Sequence, residues 1–410
     1  MKLLLVVAVL AIALATAGAS SARPTAEVRF ATFNASLNRP AAGQLAAQLA
    51  APGVDGVFHR QIRNVAEVVQ RVRPDVLLIN EFDYDLSAVD GFRKNFLAVG
   101  QNGAAPIDYP YAFVAPSNTG IPSGKDLNNT GGIVTTSGAA GYGDDAFGFG
   151  AFPGQFGMVV YSKYPIVHED VRTFQLFRWA DMPGNLIPAP FYSPDEVAIL
   201  RLSSKSHWDI PIAIRGKTVH FLVSHPTPPV FDGPEDRNGR RNSDEIRLWA
   251  DYITPQKGRY IYDDKGKHGG LKPGRPFVIA GDQNSDPLDG DSIPGAAQQL
   301  LEHRLVNARV APQSAGAVEA AMLQGGANAT HKSDPRFDTA DFADTAPGNL
   351  RAGYVLPRKN LKVVDSGVFW PQQTDPLSRL TGVFDGEVWG PVAGFPTSDH
   401  RSVWIDVKIP

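Results

Sequence analysis

Several apolar runs in this chain end in side chains that can bind metal, move protons or contact phosphate. Phe30-Ala-Thr-Phe leads to Asn34, Val76-Leu-Leu-Ile-Asn to Glu81, and Val219-His-Phe-Leu-Val-Ser to His225. Phe277-Val-Ile-Ala-Gly leads to Asp282, with Asn284 two positions on, and Ser398-Asp399-His400 stands just ahead of another apolar run. Carboxylates and amides are hard oxygen ligands that suit Mg2+ or Mn2+, and imidazoles suit proton transfer near neutral pH. In an extended segment Asp282 and Asn284 face one side together. Taken singly, each has a plain structural reading. Asn34 and the tract Gly281–Pro287 read as turn residues, Glu81 as a paired surface charge, and His225 before Pro226 as a buried structural histidine. The repetition of the pattern is what points to a site. A basic cluster, Arg237, Arg240 and Arg241 with Arg247 beyond, follows His225. It reads either as the solvated start of a helix or as a clamp on a substrate phosphate.

Chemistry of this kind needs rigid elements behind it. At a strand end a side chain leaves the core while its backbone stays held by a sheet. Enrichment in β-branched and aromatic residues predicts strands over Val28–Phe33, Val76–Ile79, Gln155–Tyr161, Thr218–Val223, Pro276–Ala280 and Ser402–Val407. Arg60–Arg73 is predicted helical, with Ile62, Val65, Ala66 and Val69 on one face. Asn242, with Glu245 three residues later, reads as a capping box opening a helix whose apolar face is Ile246, Trp249, Ala250 and Ile253. The stretch from Gly100 to Gly154 is crowded with Gly, Asn, Asp, Ser and Thr and reads as an insertion. Its Asp126-Leu-Asn-Asn129 and Gly143-Asp-Asp145 segments raise a structural Ca2+ against the plainer reading of a surface excursion, because the spacing fits no EF-hand.

Composition bounds the class. Of 410 residues, 43% are hydrophobic and 20% charged, with a formal net charge of −3. That is enough apolar material for a packed core and excludes disorder as the main state. The slightly acidic balance argues against a generic nucleic-acid coat protein. The 40 Gly and 33 Pro point to long loops rather than a helical bundle. The absence of cysteine excludes a thiol nucleophile, disulfides and Cys-ligated metals. Met1-Lys2, the uncharged apolar run Leu3–Ala17 and the small residues after it have the form of a secretory signal peptide over residues 1–22. The run is short for a bilayer crossing. The expectation is an exported protein with one domain over residues 23–410, an insertion at about 100–154, no membrane span in the mature chain and no obligate protein partner.

The tracts Gly281-Asp-Gln-Asn-Ser-Asp-Pro287 and Ser398-Asp-His400, with Gly157-Met-Val-Val-Tyr-Ser-Lys-Tyr-Pro-Ile166, run in order within a set reaching from Asn34 to His400. They resemble the motifs of the endonuclease/exonuclease/phosphatase superfamily, which has the DNase I-like fold. Ser224-His-Pro-Thr-Pro-Pro-Val-Phe-Asp232, continuing to Asn242, is similar to an exported bacterial subgroup. The resemblance implies an α/β fold, a four-layer α-β-β-α sandwich of two packed mixed sheets flanked by helices, with a metal site at one end. It implies Glu81 as the principal Mg2+ (or Mn2+) ligand, supported by Asn34. Asp282 would orient and deprotonate the attacking water, and Asn284 would hold a phosphate oxygen. His225 would protonate the leaving oxygen or steady the phosphate, and Asp399 and His400 would complete the metal and phosphate contacts. The implied activity is hydrolysis of phosphodiester or phosphomonoester bonds, in nucleic acid or in a small phosphorylated molecule.

One departure stands out. The family usually carries Asp just ahead of Tyr-Val-Leu-Pro, and here Arg351-Ala-Gly-Tyr-Val-Leu-Pro357 has Gly353. The missing carboxylate would orient the histidine matching His400. Either another acid, such as Asp365 or Asp344, stands in for it, or activity is weakened. The alternative is therefore a weakened or inactive member acting as a ligand-binding protein.

Overall fold

Two sheets and the helices outside them are described by a computed structural model, over residues 26–382 and 395–409. The predicted signal peptide lies outside the described residues. The strands in chain order are β1 (Ala26–Leu37), β2 (Val76–Phe82), β3 (Tyr111–Phe113), β4 (Met158–Ser162), β5 (Arg172–Thr173), β6 (His207–Ile214) and β7 (Lys217–Ser224). They continue with β8 (Phe277–Asp282), β9 (Ala340–Asp341), β10 (Asn349–Leu350), β11 (Gly353–Pro357), β12 (Lys362–Val368) and β13 (Val403–Ile409). The helices are α1 (Gln44–Ala50), α2 (Val57–Val72), α3 (Leu86–Phe92), α4 (Pro194–Val197), α5 (Arg237–Ile253), α6 (Gln298–Leu301) and α7 (Ala315–Gln324). One sheet runs β12-β13-β1-β2-β4-β3, the other β11-β8-β7-β6-β5, and β9 with β10 forms a small ribbon.

Strict alternation along the strands makes the layers. Val28, Phe30, Leu78 and Val160 of the first sheet meet Ile210, Phe221, Val223 and Val278 of the second in a core between them. The residues in between, Ala31, Phe33, Leu77 and Ile79, face outward and are covered by Ile62, Val65 and Val69 of α2. On the far side Leu222, Ile279 and Leu356 pack against Ile246, Trp249 and Ile253 of α5. Each such aliphatic side chain, fully buried, contributes about 1.5–3 kcal/mol of transfer free energy. Strands covered on both faces read as near-continuous apolar runs, which is why they are legible in sequence. This is the expected four-layer sandwich.

Local expectations were met unevenly. β1 continues to Leu37, so Asn34 sits inside the strand, next to an irregularity in its pairing with β2. α5 begins at Arg237, well ahead of Asn242, and no capping box forms there. Asn242 Nδ2 instead donates to the carbonyls of Thr227 (2.8 Å) and Gln283 (2.9 Å). The Glu245 carboxylate accepts from the backbone N–H groups of Ser204 (2.7 Å) and Thr227 (2.6 Å). Buried loop backbone must find partners, and these two side chains supply them.

The insertion is largely irregular, and its acidic side chains are engaged by its own turns. Asp145 accepts from Leu127 and Val134 N–H, and Asp126 from Thr130 and Gly131 N–H. Asp126 and Asp145 thus have partners within the insertion itself. Part of the insertion is buried: Asn118 Nδ2 donates to the carbonyls of Ser203 and Gln175, at 2.7 Å each. Among the described residues no helix is long and apolar enough to cross a membrane.

Candidate active site

Parallel pairing decides where the strand-end residues go. β1 with β2, and β7 with β8, are parallel pairs with Asn34 opposite Asn80 and Ser224 opposite Gly281. Their antiparallel neighbours begin at the same end: Gly353 lies opposite Asp282, Met158 opposite Asn80 and Val403 opposite Thr32. Residues far apart in the chain therefore converge at one mouth of the sandwich. Asn80 fastens the two sheets there. Its Oδ1 accepts from Thr32 Oγ1 (3.1 Å) and from Asp282 N–H (3.3 Å), and its Nδ2 donates to the Ser224 carbonyl (3.4 Å). Only glycine fits at position 281, because a Cβ there would lie 2.0 Å from the Ser224 oxygen. Glu81 has φ +59°, a left-handed conformation uncommon for a non-glycine residue and of a kind that clusters at functional sites.

Asp282 is the centre of the cluster. Asn34 Nδ2 donates to its Oδ2 at 2.9 Å and to Glu81 Oε1 at 3.0 Å. His225 Nε2 and His400 Nδ1 each lie 3.5 Å from that same Oδ2. Asp399 Oδ1 is 4.0 Å from His400 Nε2. The other oxygen of Asp282 accepts from Asn284 N–H at 3.0 Å. Ser398 Oγ bonds to the Asn34 carbonyl (2.7 Å), contacts Ser36 Oγ (2.9 Å) and accepts from His400 N–H (3.0 Å), tying the last loop to β1.

The charges divide sharply. Burial alone would raise the Asp282 carboxyl, but the His400 charge and the hydrogen bonds from the Asn34 amide and Asn284 N–H draw it below the usual carboxylate range. Burial would lower His400, yet Asp282, Asp399 and Glu81 lift it above an ordinary histidine. His225 is held well below, by burial and then by the charge of Lys205, so its imidazole is neutral. Burial and the neighbouring Asp399 push Glu81 up.

Among the described residues, no three His, Asp or Glu side chains form a ready-made metal cage. Mg2+ seldom needs one, since it is commonly held by one or two carboxylates with waters completing the octahedron. The donor chemistry fits. Glu81 forms no ion pair among the described residues and stands beside a second anion, Asp399, which is the deficit a divalent cation would fill. Asn34 is turned the other way: its N–H faces both carboxylates while its Oδ1 accepts from Ser36 N–H at 3.2 Å. It would face a cation with oxygen only after an amide turn.

Other expected residues have different work. Asn284 Nδ2 donates to the Pro226 carbonyl (3.0 Å), bracing the His225 segment. Arg241 is occupied by the carbonyls of Leu202 (2.8 Å), Phe147 (2.6 Å) and Arg201 (2.8 Å). Arg237 pairs with Glu235, and Arg240 Nε donates to the Glu235 carbonyl (3.0 Å). Those bonds commit Arg241 and pair Arg237, while the terminal nitrogens of Arg240 form no hydrogen bond or ion pair among the described residues. Neither Asp365 nor Asp344 substitutes for the acid missing at Gly353, since neither forms an ion pair with His400, whereas Asp282 and Asp399 do. Sequence reasoning missed Asn80, hidden inside an apolar run, Ser36 and Ser398 as braces, and the buried Lys205, which no periodicity marks.

Residues 31–400 match the model of the Endonuclease/Exonuclease/phosphatase family. No curated protein matches the chain. Similar solved structures include an endonuclease/exonuclease/phosphatase from Beutenbergia cavernae, 17% identical over 93% of this chain and 72% of that one, TM-score 0.47. A family protein from Leptotrichia buccalis is 12% identical over 93% and 100%, TM-score 0.43. Sphingomyelinase C from Streptomyces griseocarneus is 15% identical over 94% and 99%, TM-score 0.42.

Proposed function

The chain belongs to the endonuclease/exonuclease/phosphatase family, and from that premise we propose that it is an exported, divalent-metal-dependent phosphoesterase. It cleaves phosphodiester or phosphomonoester bonds by attack of water. The observation that carries this reading is Asp282, a buried carboxylate kept ionised between two imidazoles at 3.5 Å. Such a group is suited to orient a water and accept its proton. His400, lifted above an ordinary histidine by Asp282 and Asp399, would in its protonated form place positive charge where a phosphoryl group gathers negative charge. His225, neutral, can exchange a proton at Nε2 with Asp282. Glu81 and Asp399 would hold the cation, with Asn34 after its amide turn. Bound there, a divalent ion supplies Lewis-acid neutralisation of phosphate charge. Export is supported by the apolar run Leu3–Ala17 behind Lys2.

The test is turnover by the purified mature protein of plasmid DNA, a chromogenic phosphodiester and a phosphomonoester, with Mg2+ and with EDTA. Hydrolysis of at least one that disappears in EDTA is expected. The second reading, ligand binding without turnover, is favoured by Gly353. No hydrolysis of any of the three would make it the better account.

A further inference from the structure

We propose that Lys205 is the cation that receives the substrate's phosphate at this site, a deepening that rests on the phosphoesterase reading above. Lys205 precedes β6, whose first residue, His207, lies opposite Ser224, the residue before His225. It thus stands at the same mouth of the sandwich. The residue is 7% exposed, yet its ammonium makes no hydrogen bond and no ion pair among the described residues, while its charge acts first on Glu245 and then on Glu81 and Asp282, and also on His225. A cation withdrawn from water without a partner is costly, and its three donors are unspent.

The backbone beneath it is fixed from two sides. Asn118 N–H donates to the Lys205 carbonyl at 2.8 Å. Ser204 N–H is held by Glu245 at 2.7 Å. The insertion thus presses this segment into place, as a preorganised binding group requires. Arg241 and Arg237 are not free for the same work, because Arg241 is committed to three carbonyls and Arg237 to Glu235.

The bland alternative is a counter-ion for buried Glu245. That carboxylate already accepts from Ser204 N–H and Thr227 N–H and has Arg241 as its foremost cationic neighbour. It forms no ion pair with Lys205. An anion arriving from outside, placed against Asp282 and the histidines, would complete the lysine instead. A compact ammonium with free donors suits a phosphoryl oxygen.

The test uses Lys205→Met and Lys205→Arg, with Glu245→Gln and the Lys205→Met/Glu245→Gln double variant as controls. Calorimetric titration with inorganic phosphate, with Mg2+ present, should show Lys205→Met weakened by at least about tenfold and Lys205→Arg by less. Phosphoester kcat/KM should fall by at least about tenfold with Lys205→Met, while Mn2+ affinity holds and the melting temperature stays at or above that of the wild type. Wild-type phosphate affinity in Lys205→Met, or no phosphate binding by the wild type, overturns the proposal. So does a lowered Tm in Lys205→Met that the double variant restores, since that is the signature of a Glu245 counter-ion. A wild type that binds phosphate through Lys205 but hydrolyses no phosphoester leaves Lys205 standing and overturns the phosphoesterase reading instead.

Discussion

Two aspartates of this chain are buried equally and behave oppositely. Asp282 at the end of β8 is 2% exposed, and Asp338 in the segment before β9 is 1% exposed. Asp282 has two imidazoles, the Asn34 amide and the Asn284 N–H around it, and it is drawn below the usual carboxylate range. Neither oxygen of Asp338 has a hydrogen-bond partner. Burial, with Asp286, Asp289, Asp334 and Asp341 adding like charge, pushes its carboxyl up to about 9. Burial sets the cost of an ion, and partners decide whether it ionises. A carboxylate that must serve as a base is surrounded by donors, whereas one left without them keeps its proton. Glu81 stands between the two, raised but beside a place a cation could fill.

The sharpest way to break the contrast is Asp282→Asn, which keeps shape and removes charge. A fall in kcat/KM of at least about 10²-fold is expected with folding intact. His400 loses its foremost supporting anion, so its NMR titration should move to lower pH. An unchanged rate would remove Asp282 from the chemistry.

Asp338→Asn attacks the other side of the comparison. The folded chain holds the Asp338 proton up to about 9, while the unfolded chain releases it near 3.8. Between those values folding takes up a proton, so this group's effect is that stability falls as pH rises. Asparagine does not titrate. Melts of the variant should match wild type near pH 4 and exceed it at about pH 8, by on the order of a few kcal/mol. Parallel curves across that range would show that Asp338 ionises normally.

Glu81→Gln tests the intermediate case. The Mg2+ concentration for half-maximal activity should rise by at least about tenfold, because a neutral amide replaces the carboxylate best placed to hold the ion. Without metal, the variant should melt at or above the wild-type temperature, since a desolvated, repelled charge is gone. An unaltered metal titration would place the cation elsewhere.

How much of this was legible follows from how local each signal is. Apolar runs ending in Asn34, Glu81, His225 and Asp282 are visible in sequence because strand and strand end are contiguous. The four layers follow from the same runs. The roles of Asn80, Lys205 and Asp338 depend on neighbours more than a hundred residues away or on partners that are absent, and nothing local marks them. Asn242 and Glu245 misled because Ser/Thr/Asn followed by Glu is a helix-start pattern only when the chain has not already become helical, and α5 begins five residues earlier, at Arg237. The arginine cluster shows the same limit: its charge is plain in sequence, but the three carbonyls that hold Arg241, those of Leu202, Phe147 and Arg201, are not.

Gly353 is where the contrast can be refined most finely. It lies directly opposite Asp282 in the β8–β11 pairing, and residues so paired project to the same face. A Cβ there would meet Val403 Cγ2 at 3.3 Å and Thr339 Oγ1 at 3.5 Å, side-chain atoms that can give by a few tenths of an ångström. Gly353→Asp therefore fits, and it adds a carboxylate beside the Asp282–His400 pair. If His400 at 3.5 Å from Asp282 and 4.0 Å from Asp399 is loosely held, the added anion should raise turnover a few-fold, move the His400 titration upward and leave the Mg2+ dependence unchanged. The gain should be modest, because like charge opposite Asp282 works against the very ionisation that His400, Asn34 and Asn284 maintain. A rate no higher than that of the parent would mean that Asp282 and Asp399 already position His400, and that the absent family carboxylate is not missed.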